Sequence, residues 1–329
     1  MEICGEKFKV EDTYDSIITI PDCFVLGKNK LGEGHGEAKL YLGSKNTMRA
    51  FFGNEGFSAK CFLLKADLLA YLNTLKQEYI SPSQEYFGKE EFPSLWKERM
   101  HKVNSLPDIV FFEVIDQKQI VGARGYVNSK SDGYELIREL SLPLVTYVSI
   151  MKLSDKSNMP IFYWKLFVDY EIISEKKNGP LVFYYGKKSK QDEIVSPKKE
   201  EKSEEYGRAR IGQGKYREKL LEECPFCPIT MLNEESLLIA SHIKPWAVSN
   251  DKEKIDPKNG YMFSPLYDKL FDKGFITFTE EKRMLVSNWL SIANQKRLNL
   301  KNEFYVPRLP MDEKRKSYLE FHRANVFKG

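Results

Sequence analysis

The chain has 329 residues, of which 42% are hydrophobic and 13% aromatic, so its composition is that of a globular protein and excludes a disordered one. Its 51 basic and 47 acidic residues leave a net charge of +4, which permits nucleic-acid binding without indicating it, since a basic footprint can be local. The length favours two domains over a single small core.

The cysteines and the hydropathy pattern bear on the compartment. The five cysteines are an odd number, scattered along the chain, and do not resemble a disulfide framework. No window approaches the roughly 18 uncharged apolar residues that a membrane span needs. The N-terminal segment lacks the apolar run of a signal peptide. We therefore expect a cytoplasmic protein with no membrane partner.

The first half of the chain predicts both helices and strands. Residues 63–80 have the apolar spacing of an amphipathic helix, and residues 81–103 predict a second, shorter one. Three segments rich in β-branched and aromatic residues predict strands: 108–115, 159–173 and 180–186. The last two suggest a hairpin that turns at Asn178-Gly179. These elements predict a mixed α/β domain with a substantial sheet.

Residues 186–207 are rich in Lys, Glu and Ser and nearly free of large apolar residues. Such a run cannot bury enough surface to fold. We therefore predict a charged linker at residues 187–206, between an N-terminal domain (1–186) and a C-terminal domain (207–329). The fold class expected for the whole chain is α+β.

The C-terminal domain predicts a compact series of elements. Residues 216–223 read as a helix and 236–243 as a strand, while 259–274 predict a strand that turns into a short helix ending at Gly274. A further strand is expected at 275–278 and a closing helix at 312–327.

His242 ends the strand at 236–243 and raises two interpretations: a packed core imidazole, or the base of a hydrolase. Phosphodiester hydrolysis needs a base that deprotonates water and a divalent cation that offsets charge on the phosphate. Asn259 and the acidic helix after it follow at a spacing that would bring base and carboxylates to opposite sides of one phosphate. Asn259 could bond the loop backbone and hold the histidine at a fixed angle.

Four fragments, in this order, carry a resemblance: "RARIGQGKYREKLL", "CPITMLNEESLLIASHIKPWAVSN", "NGYMFSPLYDKLFDKGFITF" and "YLEFHRANVF". Together they resemble the HNH endonuclease family with the ββα-metal fold, in the form attached to restriction-type nucleases. The resemblance covers roughly residues 207–329. It implies cleavage of double-stranded DNA with Mg²⁺ or Mn²⁺, with His242 as general base and Asn259 as the family's central asparagine.

The chain departs from the family pattern at Tyr267-Asp268, where the family usually has His-Asp and the histidine is usually a metal ligand. A neutral phenol is a poor ligand for a hard cation. We therefore expect the metal at Asp268 and at Asp272, one helical turn later on the same face. Ser241 could contribute through water, and Tyr267 could orient the phosphate or the attacking water.

Basic residues flank "IGQG", a predicted helix entry where backbone N–H groups and cations could hold phosphate. They are Arg208, Arg210, Lys215 and Arg217, and Lys244 follows the catalytic histidine. A solvated surface is the alternative interpretation of the four residues around "IGQG", whereas Lys244 could instead fill a corner. Cys224 and Cys227 have the spacing of half a tetrahedral zinc site. No second pair follows, which argues against structural Zn²⁺.

The resulting hypothesis is a restriction or phage-defence endonuclease whose N-terminal domain selects the DNA. One such site cuts one strand, so a double-strand break implies a homodimer or successive nicks. Two alternatives remain: a DNA-binding module whose HNH site is weakened at Tyr267, and a defence nuclease that a ligand switches on through the N-terminal domain.

Overall fold

A computed structural model of the chain describes residues 1–14, 18–20, 39–83, 86, 89–117, 122–143, 145–154, 157–169 and 214–329. Two compact units are formed: an N-terminal unit, Met1–Ile172 with Asn288–Asn294, and a C-terminal unit, Ile173–Ser287 with Gln295–Gly329. The predicted linker at 187–206 and the predicted turn at Asn178-Gly179 lie outside the described residues. Within those residues, none of the helices has the length and apolarity to cross a membrane.

The N-terminal unit is built on one large sheet. The described strands of the unit are β1 (Glu2–Ile3), β2 (Glu6–Lys7), β3 (Lys9–Thr13), β4 (Ile18–Thr19), β5 (Leu40–Ser44), β6 (Ser58–Leu64), β7 (Ile109–Asp116), β8 (Arg124–Asn128), β9 (Thr146–Ser154) and β10 (Pro160–Val168). Strands β1 and β2 form a separate two-stranded sheet. The large sheet has the order β3-β9-β10-β6-β7-β8-β5, and β4 also pairs with β9. Strands β6 and β10 run parallel, whereas their other pairings are antiparallel.

Helices of this unit pack on one face of the sheet. They are α1 (Lys45–Phe52), α2 (Lys65–Thr74), α3 (Lys76–Ile80), α4 (Phe92–Asn104) and α5 (Asp132–Leu140). A Cβ added at Gly133 of α5 would lie 2.9 Å from Phe112, and one at Gly125 would lie 3.1 Å from Met48 of α1. The even-numbered residues of β7, among them Phe112, therefore face the helices. The helix predicted at 63–80 is interrupted at Leu75, between α2 and α3.

The C-terminal unit contains a short hairpin followed by a helix. Residues 214–223 form a helix, here α6. The other elements are β11 (Ile239–His242), α7 (Asp251–Lys254), β12 (Gly260–Phe263), α8 (Pro265–Asp272), β13 (Ile276–Phe278), β14 (Arg283–Val286), α9 (Ile292–Arg297), β15 (Phe304–Tyr305) and α10 (Glu313–Asn325). The first three residues of α9 belong to the N-terminal unit. Strands β11 and β12 are antiparallel, and β13-β14-β15 form a separate sheet.

Two glycines lie at the start of β12 and just after the end of α8. Gly260 pairs with His242 at the start of β12, and a Cβ there would lie 1.9 Å from the Tyr216 hydroxyl. Gly274 ends α8 with φ +66°, and a Cβ there would lie 2.0 Å from the Val326 carbonyl oxygen. Neither position accepts a side chain without a shift of the backbone. The predicted fold class, α+β with a substantial N-terminal sheet and a C-terminal ββα unit, is confirmed.

Candidate active site

His242 lies in an aromatic pocket at the end of β11. Its ring stacks on Tyr216 of α6, with centroids 4.1 Å apart and planes 17° from parallel. Trp246 meets it edge-on, with centroids 5.3 Å apart and planes at 88°. The two aromatic rings restrict the imidazole to one orientation, because stacked and edge-to-face contacts depend on geometry.

The hydrogen bond of His242 defines which ring nitrogen carries the proton. Nε2 lies 3.0 Å from the carbonyl oxygen of Lys254. A carbonyl oxygen only accepts, so Nε2 must carry the hydrogen, and in the neutral ring Nδ1 holds the free electron pair. Burial lowers the pKa of His242 to about 4, and the bond to Lys254 opposes this shift. At neutral pH the imidazole is therefore uncharged and able to accept a proton at Nδ1.

Asn259 holds the loop between β11 and β12. The residue is fully buried. Its Oδ1 accepts from the backbone N–H of Lys244 at 2.8 Å. Its Nδ2 donates to the carbonyl oxygens of Lys244 at 3.2 Å and Glu253 at 3.1 Å. Because Lys254 follows Glu253 directly, the amide of Asn259 also fixes the carbonyl that binds His242.

A charged pair closes the same loop. Lys244 Nζ lies 2.7 Å from a carboxylate oxygen of Glu253, which also caps α7 together with Asn250. Burial alone would raise the pKa of Glu253, but the bonds from Lys244 and Asn250 lower it overall. The carboxylate therefore stays charged at neutral pH, and the ammonium of Lys244 is engaged within the loop.

Oxygen donors meet between β11 and α8. The hydroxyl of Ser241 lies 3.5 Å from Oδ1 of Asp272, and both Ser241 and Asp268 are buried. Asp268 is one turn before Asp272, so the two carboxylates share a face of α8. Tyr267 is half-buried, and burial, followed by the nearby Cys227 thiol, raises the pKa of its phenol. The donors on this face are thus hard oxygens, and the phenol beside them is neutral.

These donors fit Mg²⁺ or Mn²⁺, which prefer oxygen ligands. Within the described residues, no group of three His, Cys, Asp or Glu side chains is placed to hold a metal ion. Mg²⁺ is commonly bound through one or two carboxylates, with water and substrate phosphate as the other ligands. Asp268 and Asp272 are carboxylates of this kind, one turn apart on α8.

The neighbouring side chains of Ser241 and His242 leave β11 in opposite directions. Successive side chains of a strand alternate between its faces. Ser241 points to α8, whereas His242 points to Tyr216 and the loop. In the described part of the chain, no hydrogen bond joins His242 to Asp268 or Asp272. The two groups belong to one segment but do not touch.

This segment matches a known family. Residues 227–279, which include β11, β12, α8 and β13, match the HNH endonuclease family model. The C-terminal region contains an HNH endonuclease domain. The predicted resemblance is thereby confirmed for this region, and the family supports nuclease activity. No curated protein matches the chain.

The residues predicted to contact DNA differ in their exposure and in their hydrogen-bond partners. Lys215 is exposed on α6. The guanidinium of Arg217 instead donates to the carbonyl oxygens of Leu238 and Glu235, each at 2.7 Å. Lys244 is engaged with Glu253, as described above. Arg208 and Arg210 lie outside the described residues.

Cys224 and Cys227 are buried beside the start of α8. Cys227 Sγ lies 3.9 Å from the hydroxyl of Ser264, and the Cys224 thiol donates to the Phe226 carbonyl at 3.3 Å. Burial raises the pKa of Cys224, so this thiol is protonated at neutral pH. Both sulfurs pack within the HNH domain.

Two residues that support the site were not singled out from the sequence. The hydroxyl of Tyr216 donates to the Asn259 carbonyl at 3.0 Å. Arg315 of α10 is buried and donates to Glu223 at 2.7 Å and to the Pro257 carbonyl at 3.3 Å. Arg315 therefore braces the turn that leads into Asn259. Tyr216 lies within a fragment that resembles the family, but neither contact has a local signal, because the partners are distant in sequence.

Proposed function

We propose that the chain is an endonuclease that hydrolyses phosphodiester bonds of double-stranded DNA with His242 as general base. The observation that carries this proposal is the bond from Nε2 to the Lys254 carbonyl, which leaves the electron pair of Nδ1 for a water molecule. A core histidine with both nitrogens satisfied could not serve as a base without first losing a partner.

The proposed reaction is a direct displacement at phosphorus. Nδ1 of His242 takes a proton from water as the water oxygen forms a bond to phosphorus. The bond to the 3′-oxygen breaks, and the departing 3′-oxygen takes a proton from solvent to become a hydroxyl. Mg²⁺ or Mn²⁺, held by Asp268 and Asp272 with Ser241 acting through water, would offset the charge on the phosphate. The Tyr267 phenol can donate a hydrogen bond to a phosphate oxygen. Asn259 and Tyr216 hold the imidazole in place.

The remaining parts of the proposal concern the biological setting. The N-terminal unit would select the target, as in a restriction or phage-defence enzyme. Each HNH domain would cut one strand, so a homodimer or two successive nicks would produce a double-strand break. Lys215, Arg208 and Arg210 are proposed to contact the DNA backbone, whereas Arg217 and Lys244 would have to exchange their present partners to do so.

One observation favours a second candidate function. No described cluster contains three metal-binding His, Cys, Asp or Glu side chains, and Tyr267 stands where the family usually has histidine. A weakened site would leave a DNA-binding module without cleavage.

A plasmid-cleavage assay tests the proposal and separates the two candidates. Methylated and unmethylated plasmids are incubated with the full chain in Mg²⁺, Mn²⁺ or EDTA. We expect nicked or linear products with a divalent cation, none in EDTA, and none from His242→Ala, which should still bind DNA. Equal cleavage by His242→Ala would refute the role of this residue. Binding by both proteins without cleavage in either metal would favour the second candidate.

A further inference from the structure

Part of the N-terminal sheet exposes aromatic side chains on the face opposite α1 and α5. Burial alternates along β7, where Phe111, Glu113 and Ile115 are exposed while their neighbours are not. Strand register extends this face sideways, because Lys60 pairs with Glu113 and Tyr41 pairs with Tyr126. We call this surface the open face and define it by six residues: Tyr41, Lys60, Phe111, Ile115, Arg124 and Tyr126.

Two of the three aromatic rings of the open face are exposed, and the third, Tyr126, is half-buried. Phe111 is 54% exposed and Tyr41 is 50% exposed. The rings of Tyr41 and Tyr126 lie 5.4 Å apart at 50°. Large exposed apolar groups that lie together on a sheet are uncommon on monomers and indicate an interaction surface.

On the same face, aromatic rings of β6 and β10 are buried, so the exposure is local. Phe62 on β6 and Tyr163 on β10 stack at 5.0 Å and 7°. Trp289 covers Tyr163 with a centroid distance of 5.0 Å, and Phe62, Tyr163 and Trp289 are all buried. Packing therefore buries the aromatic rings at one part of this face, whereas Tyr41 and Phe111 are exposed.

Cations lie beside the exposed rings. Lys60 Nζ is 4.8 Å from the Phe111 centroid, Lys39 Nζ is 5.3 Å from that of Tyr126, and Arg124 is 5.9 Å from that of Tyr41. In the described part of the chain, neither Lys60 nor Arg124 forms an ion pair with a carboxylate. Glu113, the acid of this face, is bonded by the hydroxyl of Ser58. The open face thus combines stacking surfaces with positive charge.

We propose that the open face binds a single strand of nucleic acid, with bases stacked on Tyr41, Phe111 and Tyr126 and phosphates held by Lys60 and Arg124. Unpaired bases expose their ring faces, which a duplex conceals, and aromatic rings interleaved with cations match that combination. A protein partner would match the exposed apolar rings but would not by itself account for the cations. The inference goes beyond the proposed function, whose substrate is double-stranded DNA, and assigns the N-terminal unit a separate site for unpaired strands.

The test measures binding without cleavage. The full chain carrying His242→Ala is titrated in EDTA against labelled DNA and RNA single strands of about 16 nucleotides and against the matching DNA duplex, by fluorescence anisotropy. We expect the single strands to bind more tightly than the duplex, and the DNA and RNA arms identify the preferred backbone. Tyr126→Leu and Phe111→Leu should each weaken single-strand binding about fivefold to a hundredfold. Lys60→Gln should lower the salt slope by about 0.7.

Two variants serve as matched controls. Tyr305→Leu removes a ring that is 53% exposed on β15, and Lys76→Gln removes a cation that lies 4.9 Å over Trp96 on the helical side of the N-terminal unit. Neither should change single-strand affinity, and an unchanged Tm for all variants would show that they remain folded.

The proposal fails if the duplex binds as tightly as the single strands, if no strand binds, or if open-face and control variants weaken binding equally. Cleavage is scored separately with the wild-type chain. Normal binding by the open-face variants, together with plasmid cutting that requires His242, would therefore reject the open face and retain the nuclease.

Discussion

The surroundings of His242 and His322 resemble each other in three respects. Each imidazole stacks on an aromatic ring: His242 on Tyr216 at 4.1 Å and His322 on Phe271 at 3.9 Å. Each places Nε2 against a backbone carbonyl, that of Lys254 for His242 and that of Phe271 for His322. Burial lowers the pKa of both, to about 4 and about 3.

The second ring nitrogen distinguishes them. Nδ1 of His322 lies 3.0 Å from the hydroxyl of Thr277, so both nitrogens are satisfied and the residue is a structural link between α8, β13 and α10. In the described residues, His242 has a partner only at Nε2. Burial, stacking and a lowered pKa do not by themselves mark a catalytic histidine. The proposed role of His242 as a base rests on the free electron pair at Nδ1, and this difference leads to the predictions that follow.

The largest expected effect separates activity from stability. His242→Gln removes the proposed base and should slow cleavage about 10²- to 10⁴-fold, with a small change in stability. His322→Gln should leave single-turnover cleavage close to wild type at low temperature but lower the free energy of unfolding by about 1–3 kcal/mol, because buried partners lose hydrogen bonds. Chemical denaturation and single-turnover cleavage of both variants measure this. Equal loss of activity in both variants would show that a free Nδ1 does not distinguish a catalytic from a structural histidine here.

Tyr216 offers a sharper test of how the base is held. Tyr216→Phe keeps the stack on His242 and loses only the bond to the Asn259 carbonyl, so we expect a stability loss of about 1 kcal/mol and a near-normal pH profile. Tyr216→Leu also removes the stack and admits water, so the pKa of His242 should rise from about 4 towards its ordinary value of 6.5.

The readout for Tyr216 is the acid limb of single-turnover cleavage. Only the Leu variant should move this limb to higher pH, whereas a purely structural loss would lower the rate of both variants without moving it. A limb that stays in place in the Leu variant would show that the stack does not control the base.

The last prediction concerns how the free energy of unfolding depends on pH. Both folded-state pKa values lie below the ordinary histidine value of 6.5, so the unfolded chain binds more protons between those limits. The histidine contribution is complete above about pH 6.5 and is lost as the pH falls towards 4. Unfolding midpoints in urea at several pH values should decline over this window, and His322→Gln should decline less steeply. An identical slope would show that His322 is not a buried neutral imidazole.

The sequence predicted the HNH segment well because its determinants are local. The strand that ends near His242, the strand that begins at 259 and the helix that ends at Gly274 lie within one short stretch, so strand, strand and helix follow from neighbouring residues. The brace by Arg315 joins residues more than fifty positions apart, and such a contact has no local pattern. The parallel pairing of β10 with β6 could not be predicted either, because strand order across a hundred residues depends on tertiary packing.

The direction of side chains was also beyond the sequence. From their spacing alone, His242 and the carboxylates were expected on opposite sides of one phosphate, without the contacts that each would make. The structure places Ser241 against Asp272 and turns His242 to the other side of β11, towards Tyr216. The face that each residue occupies depends on register with β12, which spacing does not specify.

The measurement that tests the central claim most directly is nitrogen NMR of the histidine rings, which the chain's 4 histidines make tractable. Spectra of wild type, His242→Gln and His322→Gln assign the two buried rings. The account predicts that His242 at pH 7 is neutral with its proton on Nε2, and that it titrates near pH 4. A proton on Nδ1 would contradict it, because the electron pair proposed to deprotonate water would then be absent. Titration near 6.5 would contradict the burial that lowers the pKa of His242.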